Sequence, residues 1–461
     1  MRSARVIVPG AFLLLATVLS LPAAADLVSA SKAYVKGDYA KAFADFRELA
    51  QLGQPTAQYD LAVMYAKGQG TRQSEIYAYA WASLAASNGL EKAKSLADVL
   101  RPGLAPGSEQ IAADIEAQYA SAVLDARLNP KIVENANEQD NKKRCHWVHA
   151  EIPSYPTEAR MRGAEGEVYV EFSVMPDGRS RNPRIIYALP QGLFEPTVRA
   201  ALLRSEFGHG LAGEGPAQCT TFYRFTLTGV TASDYPSLQR YVDDTLAKAK
   251  GGDPNAQMLY GMLLVGLPQL NKPRSSALPW FLKSAQAGIP VAQYQVGYSL
   301  LKGWGCNCEE NKGLDWLRRA AQGGQPDAEV TLAMYALKGT PDAERSRQAK
   351  LWLEQAAASG NHDGKLYLAA LLAAAPDTAA RDPRRSLKLL DEVFRNVNDD
   401  PTAFEIRAAA QASAGQFEDA VKSEHRALAM AQALKWDVTP LSERLSHYVA
   451  KQPWYGTLLE F

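Results

Sequence analysis

The chain has 461 residues, a length that suits about three domains. It is 47% hydrophobic and 22% charged, as an ordinary globular protein is. Fifty basic residues balance 50 acidic residues, so the formal net charge is zero. A neutral chain lacks the long-range attraction to phosphate groups on which nucleic-acid binders and anionic-membrane binders depend. We therefore expect no nucleic-acid partner.

The first 25 residues have the features of a secretory signal peptide. Arg2 and Arg5 form a positive segment, residues 6–21 are an apolar stretch, and residues 23–25 are small alanines that suit a cleavage site. Cleavage before Asp26 releases a periplasmic protein with no stable membrane anchor. The alternative is an uncleaved anchor, for which the apolar stretch is short, since a membrane span needs about 20 residues.

Helical sequence occupies both ends of the chain, residues 26–128 and 229–461, and a 36-residue period recurs in both until it fades beyond residue 362. Ala57 lies 24 residues before Trp81 in the first region, and the same alanine-to-tryptophan separation recurs in the second. A unit of this length is a helix pair, which must stack on its neighbours to bury its apolar face. The residues that recur every 36 positions are Trp280, Trp316 and Trp352, Ala256, Ala292 and Ala328, and Gly288, Gly324 and Gly360.

Small residues complete the repeating unit. Gly261 and Gly297 allow two helices to approach closely, and glycines after each helix supply the positive φ that ends it. This pattern resembles the Sel1-like repeat, a relative of the tetratricopeptide repeat, over about residues 27–95 and 253–362, and residues 412–431 resemble half of a tetratricopeptide unit. The resemblance implies a scaffold that holds another protein without catalytic residues. The aromatic residues expected to cap the array are Trp436, Trp454 and Tyr455.

Four cysteines in an exported chain favour disulfides over a metal site. Three pairings are possible, and we favour a bridge between Cys145 and Cys219, which lie at the two ends of a strand-rich segment. Cys306 and Cys308 are two residues apart, so they are expected to form a strained, labile bridge or to remain free thiols. The stretch CHWVH at residues 145–149 offers metal-binding side chains, but the disulfide is the favoured use of its cysteine.

The segment 148–228, which follows a linker at 129–147, changes from helical to strand-like sequence. Apolar and polar residues alternate over 166–174, a Pro-Asp-Gly turn follows, and a helix is predicted over about 195–205 before a closing strand. This order predicts a small α+β sheet with helices on one face, while the polar side of the alternation faces water. The glutamates expected on that solvated face are Glu165, Glu167 and Glu171.

The same segment closely resembles the C-terminal domain of TonB-family proteins over about 80 residues. The resemblance is carried by Tyr155, Pro156, Ala159, Gly163, Gly166, Val168, Val170, Phe172, Val174, Asp177, Gly178, Phe194, Glu195 and residues 222–227. In that family a peptide from an outer-membrane receptor adds a strand to the exposed edge of the sheet. The resemblance therefore implies a docking edge, with coverage by the flanking repeats as the alternative. The candidate edge residues are Thr221, Phe222, Tyr223, Arg224, Phe225, Thr226 and Leu227.

The predicted fold is mainly α, with Sel1- and tetratricopeptide-like solenoid arms flanking a small TonB C-terminal-like α+β domain. Phosphate-loop, zinc-protease and α/β-hydrolase signatures are absent from the sequence, so we expect no catalytic residue, cofactor or metal. The favoured function is a periplasmic scaffold for envelope proteins or peptides, with an outer-membrane receptor among the candidate partners. The alternatives are an energy transducer or accessory for outer-membrane transport, and a cell-wall-acting enzyme.

Overall fold

The protein is predominantly helical, with one small region of sheet. A computed structural model describes residues 27–104, 107–133, 145–209, 216–227, 229–230, 235–267, 270, 272–338, 343–394, 400–456 and 458. The predicted signal peptide lies outside these stretches. Among the helices that they contain, none is both long enough and apolar enough to cross a membrane.

The described part of the N-terminal arm consists of short paired helices. They are α1 (Leu27–Val35), α2 (Tyr39–Gln51), α3 (Pro55–Lys67), α4 (Glu75–Ser87), α5 (Glu91–Leu100), α6 (Ser108–Tyr119) and α7 (Ser121–Leu128). In α3 the local sequence sets both ends: Pro55 lies in the first turn, where no N–H donor is needed, and Gly68 ends the helix at a φ of 66°. Trp81 is buried in the core of this arm and stacks on Tyr119.

A four-stranded antiparallel sheet forms the centre of the inserted domain. The strands of the domain are β1 (Trp147–His149), β2 (Gly166–Val174), β3 (Ser180–Leu189), β4 (Glu206–Phe207), β5 (Ala217–Thr226) and β6 (Gly229–Val230), and its helices are α8 (Thr157–Met161) and α9 (Glu195–Arg204). The order in the sheet is β3-β2-β5-β6, and β1 pairs separately with β4. The predicted hairpin and the predicted helix near residues 195–205 are thus confirmed.

One face of this sheet packs on the domain's own helix α9. Val168, Val170 and Phe172 of β2 are buried there against Phe194 and Val198. Cys219 lies on the same face and is bonded to Cys145, which is 74 positions earlier in the sequence; their Cα atoms are 5.5 Å apart. The predicted disulfide is therefore confirmed. The other two cysteines, Cys306 and Cys308, are not joined in a disulfide, and the first is buried while the second is exposed.

Helix pairs continue through the described part of the C-terminal arm. They are α10 (Tyr235–Lys250), α11 (Pro254–Gly266), α12 (Arg274–Gln286), α13 (Pro290–Lys302), α14 (Glu310–Gln322), α15 (Pro326–Leu337), α16 (Ala343–Ala358), α17 (His362–Ala374), α18 (Pro383–Phe394), α19 (Pro401–Ser413), α20 (Phe417–Ala433) and α21 (Thr439–Val449). The helices α11, α13, α15 and α17 start 36 residues apart, as the period predicts. A Cβ atom on Gly297 would lie 2.8 Å from the Gly313 carbonyl oxygen, so α13 and α14 require glycine where they touch.

The N-terminal arm rests on the C-terminal arm through α7. Arg319 on α14 forms an ion pair of 2.6 Å with Asp125, and the indole N–H of Trp316 donates to the Leu128 carbonyl oxygen at 3.0 Å. The first residues of the predicted linker extend this contact, since the Val133 N–H donates to the Gly305 carbonyl oxygen. Trp316 is fully buried, so it joins the two arms as well as filling its own helix pair.

A buried carboxyl group in the C-terminal arm predicts a pH-dependent stability. The side chain of Glu424 is fully buried, and in the described part of the chain neither of its oxygens accepts a hydrogen bond. Burial, reinforced by the negative charge of Glu405, raises the pKa of Glu424 to about 9 from an ordinary value of 4.5, while Arg444 acts in the opposite direction. The folded protein therefore holds a proton at neutral pH that the unfolded chain releases.

We expect Glu424→Gln to stabilise the protein at pH 7 by roughly 3 kcal/mol, because glutamine mimics the protonated side chain without a proton to take up. Wild-type stability contributed by this group is present below pH 4.5 and is lost as the pH rises toward 9. Urea unfolding at several pH values measures the difference. The two proteins should coincide near pH 4.5, and a gap that does not widen with pH contradicts the assignment.

Candidate functional site

The second face of the inserted sheet is covered by the C-terminal arm. Tyr169, Ile186 and Phe222 leave the sheet on this side and are buried in the hydrophobic core of the repeats. Gly266 at the end of α11 contacts the same patch, since a Cβ atom there would lie 2.8 Å from Cβ of Phe222. The domain's own helices thus lie on one face of the sheet, as predicted, and the repeats cover the other face. Because these apolar residues occupy positions in the strands that are otherwise polar, the second face of the sheet also has a hydrophobic core.

Two glutamates predicted to face water are instead buried in this interface. Glu171 is 3% exposed, and its carboxylate accepts hydrogen bonds from the Tyr294 hydroxyl at 2.9 Å and the Gln295 amide at 3.2 Å, both on α13. Glu167 accepts from Tyr187 and Tyr241. The expectation was wrong for these two residues because the polar side of β2 meets the hydroxyl and amide groups of the repeats. Glu165, which precedes the strand, is exposed as predicted.

Arg184 on β3 extends into the repeats and makes several contacts there. One terminal nitrogen donates to the Asp327 carbonyl oxygen at 3.2 Å and the Thr331 hydroxyl at 3.1 Å, and it lies 3.9 Å from the Asp327 carboxylate. Both charged side chains are less than 10% exposed. Burial raises the pKa of Asp327 to about 7, although Arg184 works in the opposite direction. The buried positive charge of Arg184 on the sheet is thus paired with the negative charge of Asp327 on α15.

Arg199 on α9 makes the second buried ion pair across the interface. Its guanidinium group donates to both carboxylate oxygens of Asp363 on α17, at 3.0 and 3.4 Å, and it also donates to the Pro183 carbonyl oxygen. Burial acts to raise the pKa of Asp363, but Arg199 and neighbouring cationic groups hold it below its ordinary value. For His362, burial followed by the charge of Arg199 lowers the pKa to about 3.

The last described helices of the arm hold the far side of the inserted domain. Leu203 of α9 packs in a small core with Leu428 and Trp436. The Arg181 guanidinium lies 3.6 Å from the centre of the Trp436 ring, a cation–π contact. Trp436, predicted to cap the array, therefore contacts the inserted domain. Contacts to the sheet domain thus run along the arm from α10 to the segment after α20.

The predicted docking edge lies on β5, and its residues have unequal access to solvent. β5 pairs with β2 over residues 217–225, and on its outer side Phe225 pairs with Val230 and Thr226 with Gly229 of β6. Leu227, beyond the strand, is 60% exposed. Arg224 lies 4.3 Å from the centre of the Tyr241 ring and is half-buried. The buried members of the predicted edge are Thr221, Phe222, Tyr223 and Phe225.

The opposite edge of the sheet, on β3, borders a groove that the sequence did not indicate. Residues 185–188 all line this groove, which has a volume of about 480 Å³. Because neighbouring side chains of a strand point to opposite faces, four consecutive lining residues place the groove along the edge of the strand. Its far wall is formed by the first turns of α13, α15 and α17, including Val291 and Asp327. Within the described residues no strand pairs with this edge.

The interface holds the inserted domain on the repeats. Its buried carboxylates accept hydrogen bonds from tyrosine, glutamine and arginine side chains. In the part of the chain that the structure describes, no three His, Cys, Asp or Glu side chains are grouped to hold a metal ion. His146 and His149, next to the disulfide, therefore form no such group with their described neighbours.

Comparison with known proteins agrees with both parts of this architecture. The family described as Sel1 repeat matches residues 55–90, 254–289, 290–325 and 326–361. The family described as Gram-negative bacterial TonB protein C-terminal matches residues 151–227. Protein TonB of Klebsiella pneumoniae is 41% identical over 78 residues, which are 17% of this chain and 31% of that protein. Protein TonB of Escherichia coli is 41% identical over 63 residues, 14% of this chain and 26% of that protein.

The chain thus spans less than a third of the length of these relatives. Among solved structures, a protective antigen of uropathogenic Escherichia coli displaying an SLR fold is 16% identical, with a TM-score of 0.37, and the match covers 92% of this chain and 73% of the antigen. A Sel1 repeat protein from Oxalobacter formigenes is 21% identical, with a TM-score of 0.33 and coverage of 43% and 85%. Four segments of this chain thus match the Sel1 repeat, and the domain inserted between them matches the TonB C-terminal family.

Proposed function

We propose that the protein is a non-catalytic periplasmic scaffold that binds envelope proteins or peptides. Sel1 repeats are protein-interaction modules, and the TonB C-terminal domain points to partners in the cell envelope. The observation that carries the proposal is the docking of the sheet, face on, against the helices of the C-terminal arm, which leaves the strand edges as the place for a partner. The buried carboxylates Glu171, Asp327 and Asp363 hold the two units together, so their burial needs no catalytic explanation.

Strand addition is the proposed mode of binding, because an unpaired strand edge presents a row of N–H and C=O groups to any extended peptide. The β5 edge, residues 221–227, is the site that the family resemblance supports. There β6 already pairs with Phe225 and Thr226, so a peptide has to join beside β6 or displace it.

The β3 edge is the more open of the two. Its groove runs beside residues 185–188, which span about 13 Å at 3.3 Å per residue, enough for a four-residue strand. Its volume of about 480 Å³ lies within the range of ordinary ligand pockets. Ile185, Val291 and Pro326 line it with apolar surface. We therefore place the primary docking edge on β3.

Site-specific photo-crosslinking in cells tests both edges. A photoreactive amino acid is placed at Gln191, which lines the β3 groove, at Leu227, beyond the β5 edge, and at the exposed Val99 on α5 as a control. We expect adducts with envelope proteins at Gln191, and Val291→Trp, which fills the groove, should abolish them while any adduct at Leu227 persists. Adducts at neither edge, or equally at Val99, contradict the scaffold proposal. Adducts at Leu227 alone return the docking edge to β5.

A second candidate, a transducer or accessory for outer-membrane transport, is favoured by the 41% identity of the inserted domain to Protein TonB. Motor coupling requires a retained N-terminal anchor, whereas the scaffold requires cleavage before Asp26. Mass spectrometry of the N-terminus of the protein from membrane and soluble fractions separates the two. An intact N-terminus in the membrane fraction supports the transducer, and a mature chain starting at Asp26 supports the scaffold.

A further inference from the structure

A separate cavity lies between the inserted sheet and the helices α13, α15 and α17. Its volume is about 230 Å³, which is smaller than a pocket for a drug-sized molecule. Its walls come from both units: Ser173 and Gln218 belong to the sheet, and Tyr298 and Tyr335 belong to the repeats. The cavity is therefore completed by docking, and neither unit contains it alone.

Three cationic side chains line this cavity, Arg184, Lys302 and Lys338, beside the carboxylates of Glu171 and Glu310. Both oxygens of Glu171 already accept hydrogen bonds from α13, and Glu310 accepts one from Tyr335. Among the described residues, neither lysine forms an ion pair. Arg184 lies 3.9 Å from the Asp327 carboxylate, so the two lysines are the cavity cations without an ion-pair partner in the described part of the chain.

Arg184 also carries a donor without an acceptor. One of its terminal nitrogens is engaged by Tyr294, Asp327 and Thr331, but its Nε–H is buried and meets no hydrogen-bond acceptor in the described part of the chain. A buried charged donor is costly to leave unsatisfied. The guanidinium group that lines the cavity therefore keeps hydrogen-bonding capacity that the described residues do not use.

Lys302, at the end of α13, is under the same positive field. Burial first, and then the charges of Arg184 and Lys338, lower its pKa. The two neighbouring cations disfavour a third charge at this point, and a bound anion would reverse that effect. The ammonium group lies 5.5 Å from the centre of the Tyr298 ring, so the lysine is aligned along the aromatic wall of the cavity.

We propose that this cavity binds the carboxylate of a small organic acid between Arg184 and Lys302. The tyrosine rings give its carbon skeleton an apolar surface, and Ser173 and Gln218 offer hydrogen bonds to hydroxyl or amino groups. Inorganic phosphate presents no carbon skeleton to the aromatic wall. Because the ligand contacts both units, its binding strengthens the docking of the sheet on the repeats.

Isothermal titration calorimetry of the mature, disulfide-bonded chain tests the site. The probes are the sodium salts of L-malate, L-glutamate and D-glucuronate at constant ionic strength, with D-glucose and inorganic phosphate as comparisons. We expect at least one of the three acids to bind one per chain with a Kd below about 1 mM. Lys302→Met should weaken that binding by roughly tenfold or more, because it removes a charge-assisted hydrogen bond.

The matched control is Lys312→Met, which removes a lysine that is ion-paired with Glu309 and lies outside the cavity. Its affinity for the acid should equal that of the wild type. Both lysine variants should fold normally. If crosslinks from the photoreactive residue at position 191 are unchanged in Lys302→Met, the acid-binding cavity is independent of the docking edge on β3. Binding by none of the acids, equal binding by Lys302→Met, or equally tight binding of phosphate would overturn the proposal.

Discussion

Replacing Arg199 with methionine is expected to destabilise the docked protein by about 3–5 kcal/mol, because Asp363 is then left buried without its partner. The two side chains are 9% and 4% exposed, so water cannot replace the guanidinium group. In urea unfolding monitored by tryptophan fluorescence, the variant should lose the contact between the inserted domain and the repeats at a lower urea concentration than the wild type. Trp436 reports on that contact because it packs beside Leu203.

Two further variants make this result specific. Arg199→Met combined with Asp363→Leu should recover most of the lost stability, because no unpaired charge remains. Arg204→Met, on the same helix, breaks an exposed pair with Glu151 at 3.6 Å and should cost less than about 1 kcal/mol. Equal losses in Arg199→Met and Arg204→Met would show that the interface charges are not buried as the structure places them.

The Arg199–Asp363 pair also makes the docking of the inserted domain on the repeats less stable at low pH. Because the pKa of Asp363 is lowered in the folded protein, its contribution is present above the ordinary value of 3.8 and is lost as the pH falls through the folded value. Arg199→Met should remove this part of the acid sensitivity.

Loss of the disulfide is the second large effect that we expect. Because Cys145 and Cys219 are 74 positions apart in the sequence, chain entropy predicts a destabilisation of roughly 4 kcal/mol for Cys145→Ser combined with Cys219→Ala. The change should fall on the inserted domain, since Cys145 anchors the segment that carries Trp147 onto Phe172 and Phe207.

Urea unfolding with and without a reductant measures this effect. The double variant should unfold at the same urea concentration in both conditions, whereas the wild type should lose stability on reduction. Cys308→Ser, which removes an exposed free thiol, serves as the control and should behave like the wild type. A wild-type midpoint that is insensitive to reduction would contradict a stabilising role for the bridge.

Proximity along the chain explains what the sequence predicted well. Pro290 and Pro326 sit in first helical turns, and Gly288, Gly324 and Gly360 adopt positive φ at the ends of the preceding helices, so the 36-residue period follows from local backbone preferences. The alternation over 166–174 predicts β2 for the same reason. The predicted boundaries of the larger segments remain predictions.

The burial of Glu167 and Glu171 shows where such reasoning stops. Alternation identifies the side of a strand that turns away from its own core, but it does not say what covers that side. Glu171 meets Tyr294 and Gln295 more than 120 residues later in the chain, and nothing near the glutamate signals the encounter. An aromatic residue and an isoleucine among the polar positions, Tyr169 and Ile186, were the available signal for a second buried face.

By itself, the sequence determined the two kinds of module and their order, because helix starts, turns and strand alternation depend on neighbouring residues. It favoured the bridge between Cys145 and Cys219 among three possible pairings. The tertiary structure alone decided that the repeats cover the second face of the sheet. It also decided that the β3 edge borders a groove and that Arg184, Lys302 and Lys338 surround one cavity. These features arise from residues far apart in the chain, and their side chains meet only when the sheet packs against the helices.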